Sequence, residues 1–400
     1  MNTDKKVIEK ILDRGIVKQI LPSREEFVEA LASGKQLKFY IGADPTGNSL
    51  HLSHAKNFML LEEFRKLGHK VYVLFGDFTA CIGDPSDRTS ARTALTREQA
   101  RINAKSWVDQ IKSIIDFDDP INPAEVVFNS TWHDKFSPAD LMSLFSNASV
   151  QRMIERDMFQ KRLAENRPIF LNEFLYPMFQ GYDSVALDVD VELCGTDQIF
   201  NALTGRDLIK RYSGKEKFVV AVGLMENPVT GELMSKSNNT GVFLGTDADT
   251  MFGQIMALPD EMIEVILIND TRIPLEKIKT LDIANNPMEA KLFTAREVTK
   301  IFYGEQAEET YKKFIDTFRN KAFPSDAIEV VLSVERETLL GVITKCLHDK
   351  SKSEIRRLIA QNAVSVNGKK ISDEKMVLTI PISSHLEVKI GKKGFYKVKA

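Results

Sequence analysis

Two histidines, His51 and His54, stand three residues apart where a turn-rich stretch gives way to a helical apolar period. At a helix start they share one face, beside free backbone amides and the positive end of the helix dipole, which suits an anion. Just upstream, Asp44-Pro45-Thr46-Gly47-Asn48-Ser49 ends a short apolar run. Gly42, Asp44 and Gly47 would let a polyphosphate approach the backbone there, with Thr46 and the histidines as donors. Alone, the pair could instead cap the helix, and as zinc ligands it lacks nearby third and fourth partners. A second group is Tyr176, Gln180 and Asp183, spaced four and three, so that one helical face aims three polar side chains at one pocket. Such a stripe serves either a ligand or a hydrogen-bonded structural network. A third is Leu233-Met234-Ser235-Lys236-Ser237, flanked by Thr230-Gly231 and Asn238-Asn239-Thr240-Gly241, which reads as a loop.

The elements needed to position these groups are those of an α/β chain. Residues 39–43 suit a buried parallel strand, Leu50, Phe58, Leu60, Leu61 and Phe64 fall on a helical period that stops at Gly68, and 71–75 suit a second strand. This is a right-handed crossover unit, with the histidines in the crevice beyond the strand ends. Residues 1–36 are expected to be helical, with Val7, Ile8, Ile11, Leu12, Ile16 and Val17 on one face. Asp84, in the loop after the second strand, is either a ligand group or a turn cap before Pro85, and Arg88 and Arg92 follow it. A helix over 97–115 and a strand at 126–128 come next. Ser137 and Pro138 are an N-cap and a first helical residue, opening a helical insertion over about 138–170. Residues 187–193 are expected to form a strand leading into Cys194-Gly195-Thr196-Asp197-Gln198, then a helix through 210 and a last strand at 218–222. Residues 247–321 read as mostly helical, broken at Pro259, Pro274 and Asn286-Pro287.

Four hundred residues imply several domains. The expected division is 1–240, 241–330 and 339–400. Net charge is −2, yet residues 341–400 carry 13 Lys+Arg against 5 Asp+Glu, a net +8 that leaves −10 on the rest. A basic tail on an acidic body points to a polyanionic partner. Within the tail, 352–359 read as a basic amphipathic helix and 363–370 as a strand with an Asn-Gly turn. Cys81, Cys194 and Cys346 are odd in number and far apart, which argues against a disulfide framework. Neither a signal peptide nor a membrane-length apolar run is evident, so a cytoplasmic protein is expected.

His51-Leu52-Ser53-His54 and the later Met234-Ser235-Lys236-Ser237, in that order, resemble the His-Ile-Gly-His and Lys-Met-Ser-Lys-Ser signatures of class I aminoacyl-tRNA synthetases. With Tyr40 on the first strand, Tyr176-x-x-x-Gln180-x-x-Asp183 resembles the amino-acid pocket of the tyrosyl-tRNA synthetases and separates them from the tryptophanyl enzymes, the nearest rival. Asp197-Gln198 matches the family's Gly-Gly-x-Asp-Gln, with Cys194 in place of the first glycine. The basic tail resembles a small RNA-binding module shared with a ribosomal protein, and the likeness spans nearly the whole chain.

The resemblance implies a Rossmann-like catalytic domain with a helical insertion, an all-helical anticodon-stem domain and a small α+β RNA-binding domain. It implies a tyrosine–tRNA ligase that uses ATP with Mg2+ as the substrate complex, with no metal site of its own, and that acts as a homodimer on L-tyrosine and tRNA(Tyr). Thr46, His51, His54, Lys236 and Ser237 would be catalytic. Tyr40, Asp84, Tyr176, Gln180, Asp183 and Gln198 would bind tyrosine, and Gly42, Asp44, His51, His54, Gly195, Asp197 and Lys236 would bind ATP. Ser53 stands where a glycine normally leaves room for adenine, Leu233 removes a lysine, and Glu192 replaces a common glutamine. Two readings from other classes are a non-catalytic RNA-binding protein that keeps the fold and a small-molecule nucleotidyltransferase.

Overall fold

Six strands form the principal sheet: β1 (Val17–Leu21), β2 (Lys38–Ala43), β3 (Lys70–Phe75), β4 (Glu125–Phe128), β5 (Val191–Gly195) and β6 (Phe218–Val222). Their order is β1-β6-β5-β2-β3-β4, parallel throughout except for β1, which runs antiparallel to β6. The computed structural model describes residues 1–85, 95–234, 241–319, 323, 327–382, 384–391 and 394–400. The chain divides into two units, Met1–Glu308 and Glu309–Ala400.

In the first unit the chain runs from β2 through β3 to β4 on one side, then returns to β5 and β6 on the other. The change of direction falls between β2 and β5, where loops from adjacent strands part and open a crevice at their carboxyl ends. Helices α1 (Lys5–Leu12), α2 (Arg24–Ala32), α3 (Leu52–Lys66) and α4 (Arg97–Ile111) precede β4 or cross between the strands. Phe27, Phe39 and Phe64 pack within 4.6–6.3 Å of one another beneath the sheet. Each such buried side chain contributes about 1.5–3 kcal/mol, so this cluster fixes α2 and α3 on the sheet.

Three expected boundaries change. Residues 17–21 form an edge strand rather than part of a helix, because Gly15 takes φ +98° and separates α1 from the residues after it. Helix α4 ends at Ile111. Residue 187 closes a helix, and the strand begins only at Val191, after Asp188 turns through a left-handed conformation.

After β4 comes α5 (Ser130–His133), and the insertion holds α6 (Pro138–Phe145), α7 (Val150–Ile154) and α8 (Asp157–Ala164), followed by α9 (Leu171–Leu187) and α10 (Ile199–Ser213). Ser137 caps α6 as expected, its side chain accepting from the Asp140 amide. The helical block contains α11 (Ala248–Ala257), α12 (Met262–Asp270), α13 (Leu275–Lys279) and α14 (Pro287–Tyr303). Arg14 donates to the carbonyls of Leu267, Ile268, Thr271 and Ile273, which satisfies the open end of α12.

The second unit holds the sheet β10-β9-β12-β13-β7, built from β7 (Ile328–Val331), β9 (Val364–Val366), β10 (Lys369–Lys370), β12 (Leu386–Ile390) and β13 (Gly394–Lys399). A separate ladder joins β8 (Arg336–Thr338) to β11 (Val377–Thr379). Asn367 and Gly368 both take positive φ, 47° and 78°, as the tight Asn-Gly hairpin requires. On the helix Lys352–Ala360, Ile355 and Ile359 are buried while Lys352, Arg356 and Arg357 are exposed, leaving a cationic face. No helix among the described residues is long and apolar enough to cross a membrane.

Candidate active site

Gly42 and Asp44 lie at the carboxyl end of β2, and the turn that follows, closed by the Thr46 amide donating to the Asp44 carbonyl at 2.8 Å, delivers His51 to the N-cap of α3. Thr46 is exposed in that turn. The rings of His51 and His54 lie 4.1 Å apart, so the spacing brings them together as expected. The His51 amide donates to His54 Nδ1 at 3.3 Å, which places the neutral ring's proton on Nε2, free to donate outward. Burial pushes the two histidines down to about 3 and about 4, so both act as neutral N–H donors at physiological pH and not as cations.

Residues 242–244 are stitched to the histidine loop. The Leu52 amide donates to the Val242 carbonyl at 3.0 Å, and the Leu244 amide to the Leu50 carbonyl at 2.9 Å. On the other side, the Met234 amide donates to the Met225 carbonyl at 2.9 Å. Lys236 and Ser237, together with Ser235, Asn238, Asn239 and Thr240, lie outside the described residues, as do Arg88 and Arg92.

Deeper in the crevice, α9 carries Tyr176, Gln180 and Asp183, each on a different partner. The Tyr176 hydroxyl donates to Asp44 Oδ2 at 3.0 Å, and Thr79 Oγ1 donates to Asp44 Oδ1 at 2.7 Å. Gly76 permits this approach, since a Cβ there would fall 2.0 Å from Asp44 Oδ1. Burial pushes the Asp44 carboxyl up to about 7, offset by the Thr79 bond and reinforced by the neighbouring negative charge of Asp84. Gln198 Nε2 donates to Asp84 Oδ2 at 2.8 Å and lies 3.3 Å from Asp197 Oδ2. Asn201, fully buried on α10, donates to the carbonyl oxygens of both Gln180 and Gln198, at 2.9 and 2.8 Å. Both glutamine amides are thereby turned so that Nε2 faces the carboxylates. Gly195 and Asp197 sit at the carboxyl end of β5 and just beyond it.

Asp183 is only 2% exposed. Its carboxylate accepts from Trp132 Nε1 and His133 Nε2 at 2.8 Å each and from Asn129 Nδ2 at 3.3 Å. Burial pushes its pKa up, and these donors pull it back. Tyr40 is equally enclosed, its hydroxyl 3.0 Å from Ser184 Oγ, and burial raises its pKa well above the ordinary phenol value. The sequence reading missed Thr79, Asn129, Trp132, His133, Ser184, Asn201 and Lys217. Nothing in their local spacing signals them, because they come from five separate elements and loops.

A buried acid at one end, an acidic cluster at the other and a pair of neutral N–H donors at the mouth form a site for an elongated zwitterion beside an anion. Comparison with known proteins agrees. Residues 32–319 match the family described as tRNA synthetases class I (W and Y), and residues 343–380 match the S4 domain. The tyrosine–tRNA ligase of Aquifex aeolicus is 37% identical over 390 residues, and that of Carboxydothermus hydrogenoformans 39% identical over 408, each alignment covering 97% of both chains. A C-terminally truncated mitochondrial tyrosyl-tRNA synthetase from Coccidioides posadasii superposes with a TM-score of 0.61 at 25% identity, covering 76% of this chain and 91% of that one. The chain therefore belongs to the class I tRNA synthetases, in the bacterial-type tyrosyl branch that carries a C-terminal S4 domain.

Proposed function

We propose that this chain joins tyrosine to tRNA(Tyr) in two steps. The tyrosine carboxylate attacks the α-phosphate of Mg-ATP, releasing pyrophosphate, and the terminal ribose hydroxyl of the tRNA then takes the tyrosyl group. No enzyme nucleophile is required. The protein aligns the reactants and neutralises charge developing on the phosphates. Thr46, His51 and His54 donate from one side, with Lys236 and Ser237 acting from the loop. Asp84, Tyr176 and Gln180 hold the α-ammonium, while Asp197 takes the ATP ribose and Gln198 lies by the substrate carbonyl. Asp44, expected among the ATP-binding residues, is assigned instead to the ammonium end because of its bond to Tyr176. Gly42 and Gly195 leave backbone room for the nucleotide.

The observation that carries this reading is the enclosed pair Tyr40 and Asp183, a polar end to the pocket suited to a phenol and unsuited to an indole or a phenyl ring. Tyrosine-dependent exchange of pyrophosphate into ATP tests it. Exchange driven by tryptophan, or by neither amino acid, overturns it.

Asp44 supplies a pH test. With its carboxyl titrating at about 7, protonation removes a negative charge from the ammonium end as the pH falls. Tyrosine KM is expected to rise about tenfold from pH 8 to pH 6, where roughly a tenth of the group stays ionised. Asp44→Asn should flatten that dependence. An equal slope in parent and variant refutes the assignment.

The positive second unit is proposed to hold the tRNA, with charge neutralisation as the driving term. Residues 241–330 are proposed to contact the anticodon stem. Strands β7 and β8 pair with strands after residue 339, so a useful truncation ends at residue 319. That chain should keep pyrophosphate exchange while losing about tenfold or more in tRNA charging. Equal loss of both activities in a folded truncation contradicts this division. Exposed Met142, Val150, Phe170 and Leu171 support the insertion as a homodimer contact. A cytoplasmic location is part of the proposal.

A further inference from the structure

Behind the proposed tyrosine pocket lies a charge pair that the reaction scheme leaves unused. Lys217 and Glu192 are 0% and 2% exposed, and they form an ion pair between the residue just before β6 and strand β5. Burying two charges is costly, and a core of this size would be at least as stable with apolar residues in their place. Their neighbours suggest what the pair does. Lys217 Nζ also donates to Ser184 Oγ at 2.8 Å, Ser184 Oγ lies 3.0 Å from the Tyr40 hydroxyl, and Gln180 Nε2 lies 3.4 Å from Glu192 Oε1. The ammonium also sits 5.9 Å from the centroid of the Tyr40 ring. Space is kept for the junction by Gly205 on α10, where a Cβ would come within 2.8 Å of both Lys217 Nζ and Ser184 Oγ.

Donor chemistry fixes the Lys217 bond, and the contact lengths order the rest. An ammonium has only donors, so Ser184 Oγ accepts from Lys217 and has one proton of its own to give. Its two acceptors are the Tyr40 oxygen at 3.0 Å and Glu192 Oε2 at 3.5 Å, the latter already taking a proton from Lys217. With Ser184 donating along the shorter bond, Tyr40 keeps its own proton, for which Glu192 is the acceptor within the protein and the substrate phenol is the competing one. We propose that the buried Lys217–Glu192 pair, acting through Ser184, polarises Tyr40 as a hydrogen-bond donor toward the substrate phenol and leaves Asp183 as its sole acceptor. Lys217, Glu192 and Ser184 are on this account positioning residues for tyrosine selectivity. The inference rests on the reading that Tyr40 and Asp183 face the phenol.

The test measures kcat/KM for tyrosine and for phenylalanine by pyrophosphate exchange in the full-length enzyme. It compares Ser184→Ala, the joint replacement of Lys217→Met with Glu192→Met, and Asp183→Ala as a control. Replacing both ions together avoids stranding one charge in the core, and Ser184→Ala decides the matter should the joint variant not fold. For tyrosine, kcat/KM is expected to fall about tenfold or more, the scale of one charge-assisted hydrogen bond. For phenylalanine, which has no hydroxyl to read, it should change by less than about threefold. A structural role alone would lower both alike and keep the ratio. If Asp183→Ala collapses the ratio while folded Ser184→Ala keeps it, the polarising chain is wrong and the pocket assignment stands. If Asp183→Ala also keeps it, the pocket assignment fails, and this inference with it.

Discussion

Replacing Asp183 by alanine is expected to collapse the preference for tyrosine over phenylalanine. On the proposed assignment the phenolic proton goes to the Asp183 carboxylate, already desolvated and held by Trp132, His133 and Asn129. Its orientation is therefore settled before the substrate arrives, and phenylalanine brings no proton to it and sets an apolar edge against the carboxylate, a loss that ring contact cannot restore. Tyrosyl enzymes as a class discriminate by about 10⁵, a magnitude established for that class and carried over to this pocket. In the variant the preference should drop to about a hundredfold or less, since the remaining hydroxyl contact is the single bond from Tyr40. Three donors lose their acceptor at once, so a stability loss of about 1–3 kcal/mol or more accompanies the change. Thermal unfolding separates that loss from selectivity. A folded variant that prefers tyrosine as strongly as its parent removes Asp183 from the role of hydroxyl reader.

The second large effect is expected on removing both histidines. His51 and His54 lie side by side at the start of α3, and the backbone bond into His54 Nδ1 directs its remaining proton outward. Each strongly used donor to charge developing in the transition state is worth about 2.7–4 kcal/mol, or about 10²–10³ in kcat. His51→Ala with His54→Ala should therefore lower adenylate formation by at least that factor while leaving tyrosine affinity near the parent value. Because burial depresses both groups to about 3 and about 4, the parent's rate should show no inflection near pH 6.5 from these residues. Single-turnover adenylate formation measures the step directly. An unchanged rate would reduce the histidines to helix caps.

The stretch from β2 to α3 could be read from the sequence because each of its signals is local. A strand-length apolar run, turn formers and an apolar helical period sit in contiguous residues, and the histidines inherit their geometry from the helix they begin. The Asn367-Gly368 hairpin and the Ser137 cap were legible for the same reason, since backbone conformation there depends on the residue itself and its nearest neighbours. The N-terminal segment misled because strand β1 exists only through its ladder with β6, some two hundred residues away in the chain. Its apolar spacing fits a helix equally well until that partner is present.

By itself, the sequence determined the strand-loop-helix frame, the three polar groups on α9 and the positive tail, all consequences of short-range periodicity and of charge. Only the tertiary structure decided what each of those groups bonds to. Asp183 acquires Trp132 and His133 from α5, Tyr176 acquires Asp44 from the end of β2, and Tyr40 acquires Ser184 with the Lys217–Glu192 pair behind it. The physical reason is that a buried polar atom must find a partner wherever the packed chain supplies one, and packing joins residues without regard to their separation in sequence.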